Sequence, residues 1–178
     1  DALYFEGDAI ELRAVDEASG VGNAGTMDYS FDVDSSTVPL EVTLVWTDYP
    51  ATAGAGVTLQ NNLDLTVTAP GGVEYKGNVF SGGVSTPAGA YDIRNVEEVV
   101  RFAAPVPGSY TVRVNGTSVP HAPQPFAVVA TGSFAGWPPQ SGVDDTSVGG
   151  PAFVMEDVSP NPFNPYTKIK FSLPQTEN

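Results

Sequence analysis

The segment Leu59–Gly77, LQNNLDLTVTAPGGVEYKG, decides how the chain is read. Its middle alternates: Leu63, Leu65 and Val67 fall on one side, Asp64, Thr66 and Thr68 on the other, the pattern of a strand with one buried face. Pro70-Gly71-Gly72 follows as a turn in which glycine supplies positive φ. VEYKG then returns as the second arm of a β-hairpin. Two amides and a carboxylate, Asn61, Asn62 and Asp64, stand at the front of this strand, although Asn and Asp are poor strand residues. Their presence calls for a reason.

The same alternation recurs on both sides of the hairpin. TMDYSFDV places Met27, Tyr29, Phe31 and Val33 on one face, and LEVTLVWT does so with Leu40, Val42, Leu44 and Trp46. VEEVVRFAA, SYTVRVN (Tyr110, Val112 and Val114 aligned) and PFAVVATG (Pro125–Gly132) are further strands, and IELRA (Ile10–Ala14) is a short one. SGVGNAG, Asp48–Gly56, residues 77–91 and TSVPHAPQ are expected as loops. Seven or eight short strands joined by turns predict an all-β fold, a two-sheet antiparallel sandwich of jelly-roll type, over residues 1–133. Residues 134–152 lose the alternation, gain Gly, Ser, Pro and Asp, and are expected as a linker. Residues 153–178 regain a strand pattern in YTKIKFSL, with Ile169, Phe171 and Leu173 in phase, and read as the truncated start of a second domain. The start at Asp1 and the stop at Asn178 are read as those of a piece of a longer protein.

The chain of 178 residues carries 7 Lys and Arg against 21 Asp and Glu, a formal net charge of -14. That argues against nucleic acid, whose phosphates require cations, and favours attraction of cations. No run approaches the ~18 apolar residues of a membrane span, so no membrane insertion is expected. With no cysteine, disulfides, thiolate metal sites and cysteine nucleophiles are excluded. The one histidine, His121, lies among prolines without a nucleophile motif and reads as an exposed loop residue. No G-x-S-x-G elbow, phosphate loop or H-E-x-x-H occurs. Asn115-Gly116-Thr117 fits a glycosylation sequon, but reads better as an Asn-Gly turn after a strand. Paired-carboxylate glycoside hydrolysis is disfavoured, since two tryptophans are few for a sugar cleft.

Acids and amides are what remains. They gather at expected strand ends: Asp48 after Trp46-Thr47, then Asn61, Asn62 and Asp64, then Asp92, Asn95, Glu97 and Glu98. Oxygen donors drawn from several loops are the chemistry of Ca²⁺ coordination. Side chains of the same types also build Asx-turns and guard strand ends. The spacing fits either use, and no EF-hand loop is present.

LEVTLVWTDYP, NNLDLTVTAPGG, EYKGN, NVEEV and PGSYTVRV, in that order, resemble the C-terminal β-sandwich of secreted subtilisin-like serine proteases. That family's pattern is W-S/T-D-x-P, N-D-L-D-L-x-V-x-x-P, Y-x-G-N, N-N-V-E-x-V and P-x-x-G-x-Y-x-V-x-V. The likeness covers roughly residues 26–132. Asn62 stands where an acid is common and Arg94 where the first Asn of a pair is expected, which reduces the oxygen or charge offered to a cation. The resemblance implies a P-domain-like jelly-roll that follows a catalytic domain, associated with calcium and stability. It makes Asp48, Asn61, Asn62, Asp64, Asp92 and Glu97 the expected Ca²⁺ ligands. The family's catalytic Asp, His and Ser motifs have no counterpart here; ALYFEGD (Ala2–Asp8) is expected to lead out of the catalytic domain.

SPNPFNPYTKIKFSLP (Ser159–Pro174) resembles the opening of the Ig-like C-terminal sorting modules of bacterial secreted proteins. Together the two resemblances imply a secreted, extracellular protein. The expected role is a non-catalytic accessory domain that partners the catalytic domain of its own polypeptide, stabilises it with Ca²⁺, and assists protein-substrate binding. The alternative is a β-sandwich module that binds carbohydrate or a cell surface through its loops, since fold alone does not fix function.

Overall fold

The structure, a computed structural model, describes residues 10–135 and the strands at 154–159 and 168–172. Among the described residues there are strands and turns but no helix. The strands are β1 (Glu11–Val21), β2 (Thr26–Val33), β3 (Leu40–Val45), β4 (Asn62–Thr68), β5 (Glu74–Lys76), β6 (Phe80–Ser81), β7 (Val84–Ser85), β8 (Glu97–Phe102), β9 (Gly108–Ser118), β10 (Gln124–Gly132), β11 (Phe134–Ala135), β12 (Val154–Ser159) and β13 (Lys168–Ser172). One sheet has the order β1-β10-β3-β8 and the other β11-β2-β9-β4-β5, with every neighbouring pair antiparallel. This is the two-sheet antiparallel sandwich, jelly-roll-like, that the alternation predicts.

The core is the sum of the inward phases. Leu40, Val42 and Leu44 from β3, Leu63, Leu65 and Val67 from β4, and Val112 and Val114 from β9 have no exposed surface. Each such side chain contributes roughly 1.5–3 kcal/mol by leaving water. Phe31 stacks on Tyr110 and meets Phe134 edge-on, while Phe102 meets both Tyr75 and Tyr110. The hairpin from β4 to β5 turns through Gly71 (φ 90°) and Gly72 (φ 85°), so the positive φ expected of this turn is there.

Several segments differ from the sequence reading. β1 is not a short strand ending near Ala14. It runs eleven residues, through the segment expected as a loop, because a register shift between Glu17 and Val21 absorbs Ser19 and Gly20 and brings Val21 opposite Gln124. Residues 77–91 hold a small hairpin, β6–β7, turning on Gly82 and Gly83, both at positive φ. Asn115-Gly116-Thr117 is not a turn but lies within β9, where Leu63 of β4 faces Gly116. Glycine is required there by close approach: a Cβ on Gly116 would sit 2.3 Å from the Gly22 carbonyl oxygen. Strand pairing also continues past Ser133 into β11, where Phe134 is 6% exposed.

The chain divides into two compact units, Asp1–Ser141 and Gly142–Asn178. In the second, β12 and β13 pair antiparallel, with Ile169 and Phe171 inside β13. The ALYFEGD segment, the expected linker beyond Ala135, the P-N-P-F-N-P run (160–165) and Leu173 lie outside the described residues.

Candidate functional site at one end of the sandwich

Strand register brings the acids and amides to one end of the sandwich. Val45 at the end of β3 faces Glu97 at the start of β8 and Ala127 of β10; Asn62 at the start of β4 faces Ser118 at the end of β9. The candidate residues therefore share an end, but they form three separate groups.

In the first group, Asp48 is taken up by backbone. Its Oδ1 accepts the N–H groups of Tyr49 (2.7 Å) and Asn61 (2.8 Å), and its Oδ2 accepts that of Gln60 (2.7 Å). The carboxylate thus staples both ends of the 48–60 loop. Asn61 is 1% exposed. Its Nδ2 donates to the His121 carbonyl and to Gln124 Oε1, its Oδ1 accepts the His121 N–H, and its own carbonyl accepts the Trp46 indole N–H at 3.0 Å. These bonds tie the segments at the end of β3, ahead of β4 and ahead of β10 to one another, and Gln124 anchors them to β10. His121 takes part through its backbone, and its ring stacks on Tyr49 with 3.7 Å between centroids.

The second group is the Asp92 loop. Asp92 Oδ1 accepts the N–H groups of Arg94 and Asn95, and Oδ2 accepts Asn78 Nδ2 and Asn95 Nδ2. Partial burial pushes this carboxyl upward, but the bonds from Asn95, Asn78 and the backbone outweigh it and hold Asp92 below the usual range. Glu97 is exposed at the rim.

The third group is Asp64, with Asn62 before it and Glu98 behind it. Asp64 belongs to the face of β4 expected to meet solvent, yet it is 1% exposed. Asn62 Nδ2 donates to its Oδ1 at 3.4 Å, and the Thr117 hydroxyl donates to its Oδ2. It lies on the wall of a groove of ≈ 340 Å³ that Tyr91, Asn115 and Thr117 also line. Burial raises the Asp64 pKa; the Thr117 and Asn62 bonds oppose the rise and the Asp92 charge adds to it.

Glu98, which the sequence reading left out of the ligand set, is fully buried. Its signal was its phase: Glu98, Val100 and Phe102 point inward along β8, opposite Leu44, Val42 and Leu40. Glu98 Oε2 accepts the Leu65 N–H at 2.6 Å, beyond the last pairing of β4 with β5. Gly77, whose N–H bonds the Leu65 carbonyl, passes directly over this side chain, and a Cβ there would sit 2.3 Å from Oε2. Burial drives the Glu98 pKa to about 8, the Leu65 N–H opposing and the charges of Asp64 and Asp92 assisting. Glu98 Oε1 and Asn62 Oδ1 are buried oxygens without a hydrogen-bond partner.

These contacts test the fit to a cation. The oxygens of Asp48 and Asp92 already face several N–H donors each. Among the described residues, no three His, Asp or Glu side chains stand close enough together to hold a metal ion. The buried oxygens with coordination capacity left are those of Asn62, Asp64 and Glu98, while the exposed Glu97 carboxylate stands apart at the rim.

Residues 25–116, more than half the chain, match the bacterial pre-peptidase C-terminal domain, PPC. The chain belongs to this family. It is similar to the serine protease/ABC transporter B family protein tagA of Dictyostelium discoideum, 34% identical over 120 residues that cover 65% of this chain and 7% of that protein. The tagD protein of the same organism is 34% identical over 112 residues (56% of this chain, 6% of that protein). The tagB protein is 36% identical over 102 residues (54% and 5%). The chain thus spans less than a tenth of the length of these relatives. As a PPC domain it is a non-catalytic β-sandwich of a kind linked to serine proteases.

Proposed function

We infer that this PPC domain is the accessory module of a secreted subtilisin-like serine protease, placed after the catalytic domain and stabilising it. Family membership over residues 25–116 carries the reading, and relatives named as serine proteases support it. The ordered motifs from Trp46-Thr47-Asp48 to Tyr110-Thr111-Val112 narrow it to the subtilisin type. The P-N-P-F-N-P run supports reading residues 153–178 as the start of a sorting module joined by the 134–152 linker, and hence export from the cell. The domain's contribution to the enzyme is resistance to unfolding and help in engaging protein substrate. Comparing the protease with and without this domain tests it: the truncated enzyme should keep its turnover of a short peptide and lose its activity faster on heating. Equal inactivation rates would reject the stabilising role.

Ca²⁺ belongs to the same proposal, held by Asn62, Asp64 and Glu98 rather than by Asp48 or Asp92. The unpartnered Asn62 Oδ1 and Glu98 Oε1 support this choice. A bound Ca²⁺ supplies positive charge and coordination to buried oxygens that otherwise lack a partner. Binding the folded chain alone, it stabilises by about 2.7 kcal/mol at a free concentration ~100-fold above Kd. Melting the wild type and the Asp64→Asn chain, each with excess Ca²⁺ and with chelator, is the test. The Ca²⁺-dependent rise in Tm should be present in the first and largely absent from the second. No Ca²⁺ dependence in the wild type would end the metal reading.

A further inference from the structure

An unpaired sheet edge is a template for another strand, and folded chains blunt most of their edges. Among the described residues, three of the four edges of this sandwich are short or covered. β5 and β11 have only three and two residues. The free side of β8 is closed by Asn78, whose N–H donates to the Val99 carbonyl and whose Oδ1 accepts the Val99 N–H, and by the Ser85 hydroxyl, which accepts the Arg101 N–H. β1 is different. It pairs with β10 without a break from Glu11 to Glu17, and among the described residues no strand lies on its other side.

The charges on β1 decide what can pair there. Arg13, Val15 and Glu17 stand opposite Ala130, Val128 and Phe126, all buried, so they share the inward phase of the sheet. On the edge strand they stay partly exposed, at the mouth between the two sheets, where Glu17 Oε2 lies 3.4 Å from the Tyr29 hydroxyl of β2. Inward-pointing charges on an edge discourage strand partners in general. They admit a strand that carries the opposite charges at the matching places.

We propose that this strand is the β1 of a second copy of the chain, paired antiparallel about a two-fold axis through Val15. A two-fold that keeps both inward faces on one side of the joined sheet must centre on a residue, because a one-residue slip turns every side chain over. Centring on Arg13, Asp16 or Glu17 sets that charge against itself, and centring on Ala14 sets Glu11 against Glu17; like charges directly opposite are destabilising. Centring on Leu12 engages only residues 11–13 of the strand. Centring on Val15 sets Arg13 opposite Glu17 of the second copy, twice over by symmetry, with Ala14 opposite Asp16 and no like charges meeting. Arg13 has donors to spare: it gives one N–H to the Leu12 carbonyl and one to the Glu11 carboxylate, and a guanidinium carries about five. The join continues the β1-β10-β3-β8 sheet of one copy into that of the other. Main-chain bonds hold it more than buried area does, which puts the dimer at the weak, reversible end of specific association.

The test uses the 178-residue chain. Sedimentation velocity from ~5 to ~500 μM should show a reversible monomer–dimer equilibrium. Arg13→Glu and Glu17→Arg each set like charges opposite, and each alone should leave a monomer over that range. The variant carrying both changes should dimerise again, and so should an equimolar mixture of the two single variants. Melting each variant at the lowest concentration checks that it folds. The chain has no cysteine, so Val15→Cys gives a second reading that leaves the charges in place. Mild oxidation should link two copies at this self-opposed position, whereas Leu12→Cys, which would face Ala18 across the join, should not link. If a charge variant fails to fold, this cysteine comparison decides alone. A wild type that stays monomeric at every concentration would overturn the proposal. So would a dimer that survives either single exchange, or one that neither the double variant nor the mixture restores.

Discussion

Glu98→Gln isolates the energetic cost of a carboxyl group sealed in the sandwich. In the folded chain Glu98 is held protonated up to about pH 8, while an ordinary glutamate loses its proton near 4.5. Between those values the folded state binds a proton that the unfolded state does not, so stability falls as pH rises. The stabilising contribution is complete below about pH 4.5 and is lost as pH passes through about 8. The slope is ~1.4 kcal/mol per pH unit, which gives about 4 kcal/mol between pH 5 and pH 8. At ~2–4 °C per kcal/mol the Tm of the wild type should drop by about 8–16 °C over that range. Glutamine retains a carbonyl oxygen to accept the Leu65 N–H and has no proton to lose. Its amide N–H₂ enters the place of the unpartnered Oε1, at a cost of ~1–3 kcal/mol that does not vary with pH. The variant should therefore start below the wild type at pH 5, hold a nearly constant Tm, and overtake it between about pH 6 and pH 7.

Melting both proteins by circular dichroism at pH 5, 6, 7, 8 and 9, with chelator present throughout, reads the effect. Asp64 is also raised by burial and adds to the fall in stability at the acidic end, whereas Asp92, held low by its donors, acts only at more acidic pH. The difference between variant and wild type removes both contributions. If the two proteins trace parallel curves, Glu98 is not the proton holder and the reasoning from its burial is wrong. A wild-type Tm that stays flat from pH 5 to pH 9 refutes that reasoning equally.

Other substitutions probe the remaining contacts. Asp48→Ala leaves three loop N–H groups without their charged acceptor and should cost about 2–3 kcal/mol in urea unfolding, with the Tm response to Ca²⁺ unchanged. A changed Ca²⁺ response would return Asp48 to the metal site. Phe134→Ala empties a buried site against Phe31 and should cost about 3–5 kcal/mol, measured the same way; a loss below ~1 kcal/mol would mean that the sandwich ends at Gly132. Gly77→Ala drives a methyl group into the Glu98 side chain, and a decrease of ~1–3 kcal/mol or more is expected. Replacing Gly54, whose Cβ would meet nothing but whose φ is 82°, should cost only the smaller backbone penalty.

The sheets were legible because alternation is a local property. Leu40, Val42, Leu44 and Trp46 declare an inward face without reference to any partner, and so do Leu63, Leu65 and Val67. What alternation cannot carry is a decision taken by distant backbone. The length of β1 depends on a register shift opposite Gln124, and the strand character of Asn115-Gly116-Thr117 depends on the Gly22–Gly25 turn closing against Gly116. Phe134 likewise reads as linker from its Gly- and Pro-rich neighbours, and only its seat on Phe31 makes it core. Glu98 was legible in phase but not in chemistry. Its place in the β8 alternation is visible, yet a buried acid is rare enough that its neighbour Glu97 drew the attention instead.

The amides and the acid at the head of β4 serve different ends, although they stand within four residues of one another. Asn61 presents donors and acceptor together, so one side chain satisfies both the N–H and the carbonyl of His121, a task that neither a carboxylate nor a hydroxyl performs as well. Asp64 presents acceptors alone. A chain seeking only to close loops would gain nothing from burying that charge beside Glu98. The Asp64 charge raises the proton affinity of Glu98, and among the described residues neither forms a salt bridge. Asp48 and Asp92 show the simpler solution, a partly exposed carboxylate filled with N–H donors. Asp64, Asn62 and Glu98 retain coordination capacity in a place where retaining it is costly. The proposed cation would offset that cost where loop closure does not, and this is why the chelator comparison on Asp64→Asn is the test that separates the two uses of these side chains.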